Sequence, residues 1–188
     1  MSAEDRRLIA ACLKGRTEAF ADLVSRYQDR LYNTILRLLG HAEDARDVVQ
    51  EAFLHAYQAL ATFKGDSLFY TWLYRIAMNA AISYQRKQKA ALRLYPGGDR
   101  DGFDPADTSE GSRPGHALEM AEEEKRVQAA LARLSAEHRA VLILKDMEGL
   151  KYEAMAEILE VPIGTIRSRL HRARLELRQI LTQDSKPS

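Results

Sequence analysis

Between Val161 and Leu181 the chain reads VPIGTIRSRLHRARLELRQIL, with five arginines, one histidine and one glutamate. Arginine carries a planar fork of donors suited to guanine O6 and N7 or to phosphate oxygens. A second group lies upstream. In ATFKGDSLFYTWLYRIAMNAAISYQRKQK, residues 61–89, Phe63, Phe69, Tyr70, Trp72, Tyr74 and Tyr84 alternate with Lys64, Arg75, Arg86, Lys87 and Lys89. Rings among cations suit single-stranded nucleic acid: bases stack on the rings while the cations follow the backbone. Core packing is the competing reading, and it suits Trp72, Leu73 and Ile76. Phe63 sits in a glycine-containing loop and is harder to explain as core. Asn79, a polar residue on an apolar helix, has an amide able to meet a base edge.

Helical periodicity positions both groups. At 100° per residue, Ile163, Ile166, Leu170, Ala173, Leu177 and Ile180 share one face. Gly164, Arg167, Ser168, His171 and Arg172 lie opposite, with Arg169 and Arg174 on the borders. The apolar face packs, so the basic face points out. A short helix over Tyr152–Leu159, burying Met155, Ala156 and Leu159, precedes it. Glu160, Val161 and Pro162 form the turn, and proline is tolerated where the next helix begins. A short helix, a tight turn and an outward basic helix form a DNA-reading unit. A merely solvated basic face is the bland alternative.

Upstream, Phe20, Leu23, Val24, Tyr27, Leu31, Ile35 and Leu38 step by three and four. Thr17 and Glu18 suit the start of that helix and Gly40 its end. A second helix is expected over residues 42–61, with Val48, Ala52, Leu54 or His55, and Ala59 inward. A third starts near Ser67, with Gly65 in the break and Ser67 able to cap. Ser2 to Gly15 is short and packs on this half. The stretch YPGGDRDGFDPADTSEGSRPGH is rich in glycine and proline and marks a linker. Helical spacing resumes near Ala117, with Leu131, Leu134, Val141, Leu142 and Leu144 as one apolar set. The fold class is all-α: two small helical domains, 1–92 and 119–183, joined by a flexible acidic linker, 93–118.

Composition limits the function. Lys and Arg number 28 against 27 Asp and Glu, a net charge of +1 over 188 residues. Any nucleic-acid signal therefore lies in charge distribution. The single cysteine, Cys12, excludes a disulfide framework and any cysteine-based zinc site and suits a reducing cytoplasm. Cys12 itself lies on an apolar helix and is expected to be buried rather than reactive. No apolar run is long enough to span a bilayer, and the first residues lack a signal-peptide core. His41, His55, His116, His138 and His171 are scattered, with no HExxH, phosphate loop or nucleophile elbow, so neither an enzyme nor a metal or cofactor is expected. A regulator using only its C-terminal helices would leave the aromatic-basic stretch unexplained. An inert adaptor would leave the arginine face unexplained.

The motifs EDARDVVQEAFLHAYQAL, FKGDSLFYTWLYRIAMN and LKYEAMAEILEVPIGTIRSRLHRAR occur in that order. Together they resemble the extracytoplasmic-function (group IV) sigma factors of the sigma-70 family over nearly the whole chain. The resemblance implies a bacterial, cytoplasmic protein that binds core RNA polymerase and directs it to promoters with −35 and −10 elements. The first domain corresponds to sigma region 2 and the second to region 4, with no region 3 domain. EDARDVVQEAF matches the polymerase-binding helix, so Asp47, Gln50 and Glu51 are expected on the clamp helices of the largest subunit. A flap contact on the second-largest subunit is implied as well. The FKGDS loop matches the base-capturing loop, placing Phe63, Lys64 and Asn79 at the −10 element, with Tyr70, Trp72 and Tyr74 in the melting segment. Arg167, Ser168, Arg169, His171 and Arg172 fall at the −35-reading positions. Many relatives carry an aromatic where this chain has His171. The linker acids Asp99, Asp101, Asp104, Asp107 and Glu110 suit a path through polymerase channels. Control by an anti-sigma factor is also implied.

Overall fold

The computed structural model describes residues 2–94 and 114–184. Those residues form eight α-helices and no strand. The linker acids Asp99, Asp101, Asp104, Asp107 and Glu110 lie outside them.

Helix α1 (Ala3–Leu13) starts on a reciprocal cap: Ser2 Oγ accepts from the Asp5 amide at 3.0 Å, and the Asp5 carboxylate accepts from the Ser2 amide at 3.3 Å. Arg26 of the next helix adds a 2.8 Å bond to Asp5, tying α1 to its neighbour. Helix α2 (Glu18–Leu39) ends as the sequence predicts, on Gly40 at φ 85°, which a side chain would strain. Helix α3 (Ala42–Gln58) turns its Ala45, Val48, Val49, Ala52, Phe53 and Ala56 inward.

Two expectations need correcting here. Leu54 and His55 are exposed; Phe53 and Ala56 take the inward positions, a one-residue shift in register. Ser67 is not the cap of α4 (Phe69–Leu94): the Trp72 amide donates to the Leu68 carbonyl, which makes Leu68 the capping residue. Helices α1–α4 close on one core that includes Leu23, Leu31, Ile35, Leu38, Phe69, Leu73 and Met78.

Helix α5 (Pro114–Arg133) begins inside the stretch expected to be linker, with proline as its first residue. Helix α6 (Ala136–Leu142) is capped by Ser135, whose hydroxyl accepts from the His138 amide at 3.2 Å. One widened turn follows, Ile143–Met147, in which the Glu148 amide bonds five residues back to Ile143. Helices α7 (Tyr152–Leu159) and α8 (Ile163–Asp184) complete the chain. Met155 and Ile158 are the buried residues of α7; Ala156 and Leu159 are only half-buried. On α8 the expected stripe holds, with Ile166, Leu170, Ala173 and Ile180 buried and Ile163 and Leu177 half-buried.

The two helix sets pack together: α7 lies on α4, and α5 and α6 lie against α2. At the centre is Arg139, only 4% exposed. Its guanidinium donates to the carbonyls of Leu131, Ala132 and Leu134 at the end of α5 and to that of Leu38 at the end of α2. Burial lowers its pKa to about 10. The charge is held by carbonyls at two helix C-termini, where the backbone dipoles favour a cation. Gln85 also donates to the Leu38 carbonyl, and Gln128 to that of Arg37, at 2.7 and 2.8 Å. Side chains from three other helices thus satisfy carbonyls that α2 leaves bare.

Candidate nucleic-acid interface

The basic face of α8 forms where the sequence places it. Ile166 and Leu170 anchor the helix, so Arg167, Ser168, His171 and Arg172 project to the exterior and are exposed. Arg169 is half-buried at the border. Ser168 Oγ donates back to the Thr165 carbonyl at 3.0 Å, and Arg167 lies 5.8 Å from the centre of the Tyr152 ring. That ring, at the start of α7, attracts the first arginine of α8. Arg174 is occupied instead, paired with Asp146.

Upstream, Phe63 follows a single tight turn, Leu60–Thr62, and is half-buried. Its ring centre lies 5.2 Å from that of Trp72 and 5.8 Å from that of Phe69. These two buried rings pack against Phe63 and hold it half in the core. Lys64 stands exposed next to it, and Gly65 at φ 78° turns the chain. Trp72 and Tyr74 are 7% and 1% exposed: Trp72 packs in the core, the reading its place on the helix favoured, and neither ring presents a free face in this conformation. Trp72 supports Phe63. Tyr74 lies under the second helix set, sharing a 3.2 Å hydrogen bond with Thr34 and meeting Tyr70 edge-on at 6.0 Å. Burial pushes the Tyr74 phenol up to about 12. Half-buried Tyr70 has the Arg30 guanidinium 5.8 Å above its ring.

Asn79 is exposed but not free: its amide donates to the Glu160 carboxylate at 2.9 Å. Sequence reading missed that partner. It also missed Glu148, whose carboxylate takes a 2.8 Å bond from Arg30 and another of 2.8 Å from Thr34. The hydrogen bond from Glu148 raises the Arg30 pKa. The widened turn before Glu148 had no signature in the hydrophobic pattern. Nor did Arg139 leave one: it follows the polar Glu137 and His138 and only precedes the apolar run Ala140, Val141, Leu142, Ile143 and Leu144. A buried position for an arginine requires acceptors, and here they are backbone carbonyls.

On the far side of the first helix set, Asp47, Gln50 and Glu51 lie exposed on one stripe of α3. Leu54, 54% exposed, continues the stripe. Beside it, Val24, Gln28, Tyr32, Val49, Gln50 and Phe53 line a groove of about 570 Å³. Among the described residues, no three His, Cys, Asp or Glu side chains are placed to hold a metal, and no helix is long and apolar enough to cross a membrane.

Two family models match the chain, Sigma-70 region 2 over residues 23–91 and Sigma-70, region 4 over residues 124–177. The RNA polymerase sigma-H factor of Pseudomonas aeruginosa is 39% identical over 178 residues, covering 91% of this chain and 90% of its own. The ECF RNA polymerase sigma-E factor of Escherichia coli K12 is 39% identical over 176 residues, with 90% of each chain covered. Among solved structures, the sigma factor RpoE of Bartonella quintana, in complex with the anti-sigma factor NepR, superposes with a TM-score of 0.71 at 26% identity over 88% of this chain and 98% of that one. CnrH in complex with the cytosolic domain of CnrY gives 0.68 at 28% identity over 97% and 99%. With its two helix sets, its basic recognition helix and these relatives along nine-tenths of its length, the chain belongs to the extracytoplasmic-function group of the sigma-70 family, the factors that direct RNA polymerase in transcription initiation.

Proposed function

We propose that the work is divided between two domains, 1–92 and 119–183, with 93–118 as the segment that joins them. The second reads the −35 element as duplex: Arg167, Ser168, His171 and Arg172 enter the major groove, with Arg169 at the phosphate edge. The observation that carries this reading is the exposure of these side chains along one face of α8, directly after a tight turn. Base edges are read there by bidentate forks, while flanking cations hold phosphates.

The first domain takes the −10 element as unpaired nucleotides. Phe63, backed by Trp72, stacks on an extruded base; Asn79 meets its edge; Lys64 follows the backbone. Tyr70 and Tyr74 act once the second domain has moved away. Capturing an extruded base offsets the few kcal/mol that unstacking costs. The stripe Asp47, Gln50, Glu51 docks on the clamp helices of the largest polymerase subunit, and the second domain on the flap of the second-largest. Each DNA contact is weak alone, and polymerase makes the second one effectively intramolecular.

An anti-sigma factor controls the chain. One structural neighbour was solved in complex with an anti-sigma factor, NepR, which supports the reading. The protein works in the cytoplasm and carries out no chemistry of its own. The test is in-vitro transcription with sigma-free core polymerase on a genomic promoter library. Discrete start sites that depend on the added chain are expected. Core polymerase that gains no start-site selectivity would overturn the proposal.

A further inference from the structure

Three glutamates of the second domain touch four donor side chains of the first. Glu137 meets Arg86 at 3.2 Å; Glu148 meets Arg30 and Thr34, each at 2.8 Å; Glu160 meets Asn79 at 2.9 Å. In each contact the acid comes from the second domain and the donor from the first. Nucleic acid would present the same chemistry to that face: acceptor oxygens carrying negative charge.

Glu160 gives a second, independent observation. It ends α7 in the left-handed region, at φ 53° and ψ 42°, the one non-glycine described residue with positive φ. Helices commonly close on glycine in that conformation, because a Cβ is strained there. A glutamate in the strained position keeps a carboxylate aimed at Asn79. Glu148 directly follows the widened turn at Ile143–Met147. Its side chain, only 7% exposed, bonds Arg30 and Thr34, and Thr34 is the hydrogen-bond partner of the buried Tyr74.

We propose that the free chain is closed on itself, with Glu137, Glu148 and Glu160 standing in for nucleic acid on the −10-binding face of the first domain. The closed form and the −10-bound form are then mutually exclusive. Polymerase, by holding the domains apart, releases Asn79 from Glu160 and uncovers Tyr74 only where DNA is to be melted. The inference rests on the assignment of Asn79 to the −10 element.

The test uses the full chain carrying Cys12→Ser, with spin labels at Gln58→Cys and Glu157→Cys, and a fluorescent, random-sequence single-stranded DNA oligonucleotide. The parent should give one narrow label distance and weak oligonucleotide binding. The triple variant Glu137→Ala, Glu148→Ala, Glu160→Ala should broaden and lengthen the distance and tighten binding about tenfold. A control that removes the same charge elsewhere, Glu4→Ala, Glu18→Ala, Asp22→Ala, should gain no more than about twofold, as the general electrostatic effect requires. A parent whose distance is already broad overturns the closure. Equal gains in the two triple variants overturn the masking. The assignment of Asn79 is tested apart, by promoter opening with Asn79→Ala in the polymerase complex. Opening unchanged there would remove that assignment even if the domains were shown to close.

Discussion

Arg139 of α6 donates to the Leu38 carbonyl of α2, joining positions 101 apart in the chain. The same guanidinium reaches three carbonyls at the end of α5, so a single side chain serves two helix ends. Arg139→Met keeps much of the volume and removes the donors. It should lower stability by roughly 2 kcal/mol, the cost of leaving buried carbonyls unpaired. Arg139→Lys should recover only part, because an ammonium cannot span both helix ends. Chemical denaturation of the full chain checks both.

Phe63→Ala and Asn79→Ala should leave upstream DNA contacts of the polymerase complex in place and impair melting. Permanganate reactivity of thymines near −10 should fall by roughly tenfold or more, since base–aromatic stacking contributes about 1–3 kcal/mol per base. A footprint protecting the −35 region should persist in both variants.

Arg167→Ala or Arg172→Ala should show the opposite pattern. Loss of a bidentate base contact costs about 1–3 kcal/mol and relaxes preference at one base pair. Arg169→Ala, at the edge of the face, should weaken binding evenly across sequences and flatten the salt dependence. Promoter competition at two salt concentrations separates the two behaviours.

Tyr74 sets an alkaline limit. Burial raises its pKa to about 12, with the Glu148 charge adding and the bond to Thr34 opposing. The unfolded chain ionises a tyrosine near pH 10 and so binds fewer protons than the fold above that pH. The stability tied to Tyr74 is complete below about pH 10 and is lost as pH climbs toward 12. Arg139, with its pKa lowered to about 10, acts in the opposite sense over the same range. An absorbance titration of tyrosinate should show Tyr74 and Tyr27, also near 12, ionising last. Tyr74→Phe should remove one late step and make the alkaline loss shallower by up to roughly 2 kcal/mol.

The helices and the basic face of α8 were legible because each rests on a local pattern. The stripe Ile166, Leu170, Ala173, Ile180 fixes which way Arg167 and Arg172 point, and Gly40 ends α2 on its own φ. The misread positions have separate causes. Placing Leu54 inward rather than Phe53 needs only a one-residue error, which a short amphipathic helix does not correct. Reading proline and glycine as breakers hid the start of α5 at Pro114, although proline also starts helices. The contacts of Asn79, Tyr74 and Arg139 were not legible at all. They join residues far apart in the chain, and no local spacing encodes which carboxylate will face which amide.

The end of α2 has one more consequence. Its Arg37 carbonyl is satisfied by Gln128 and its Leu38 carbonyl partly by Arg139, both on the C-terminal side of the chain. A fragment stopping at Leu94 would keep the Gln85 bond but forfeit those two donors. Severing the protein in its middle should therefore be lopsided in effect: the front piece would fray at the last turn of its second rod, and adding the rear piece in trans should mend it.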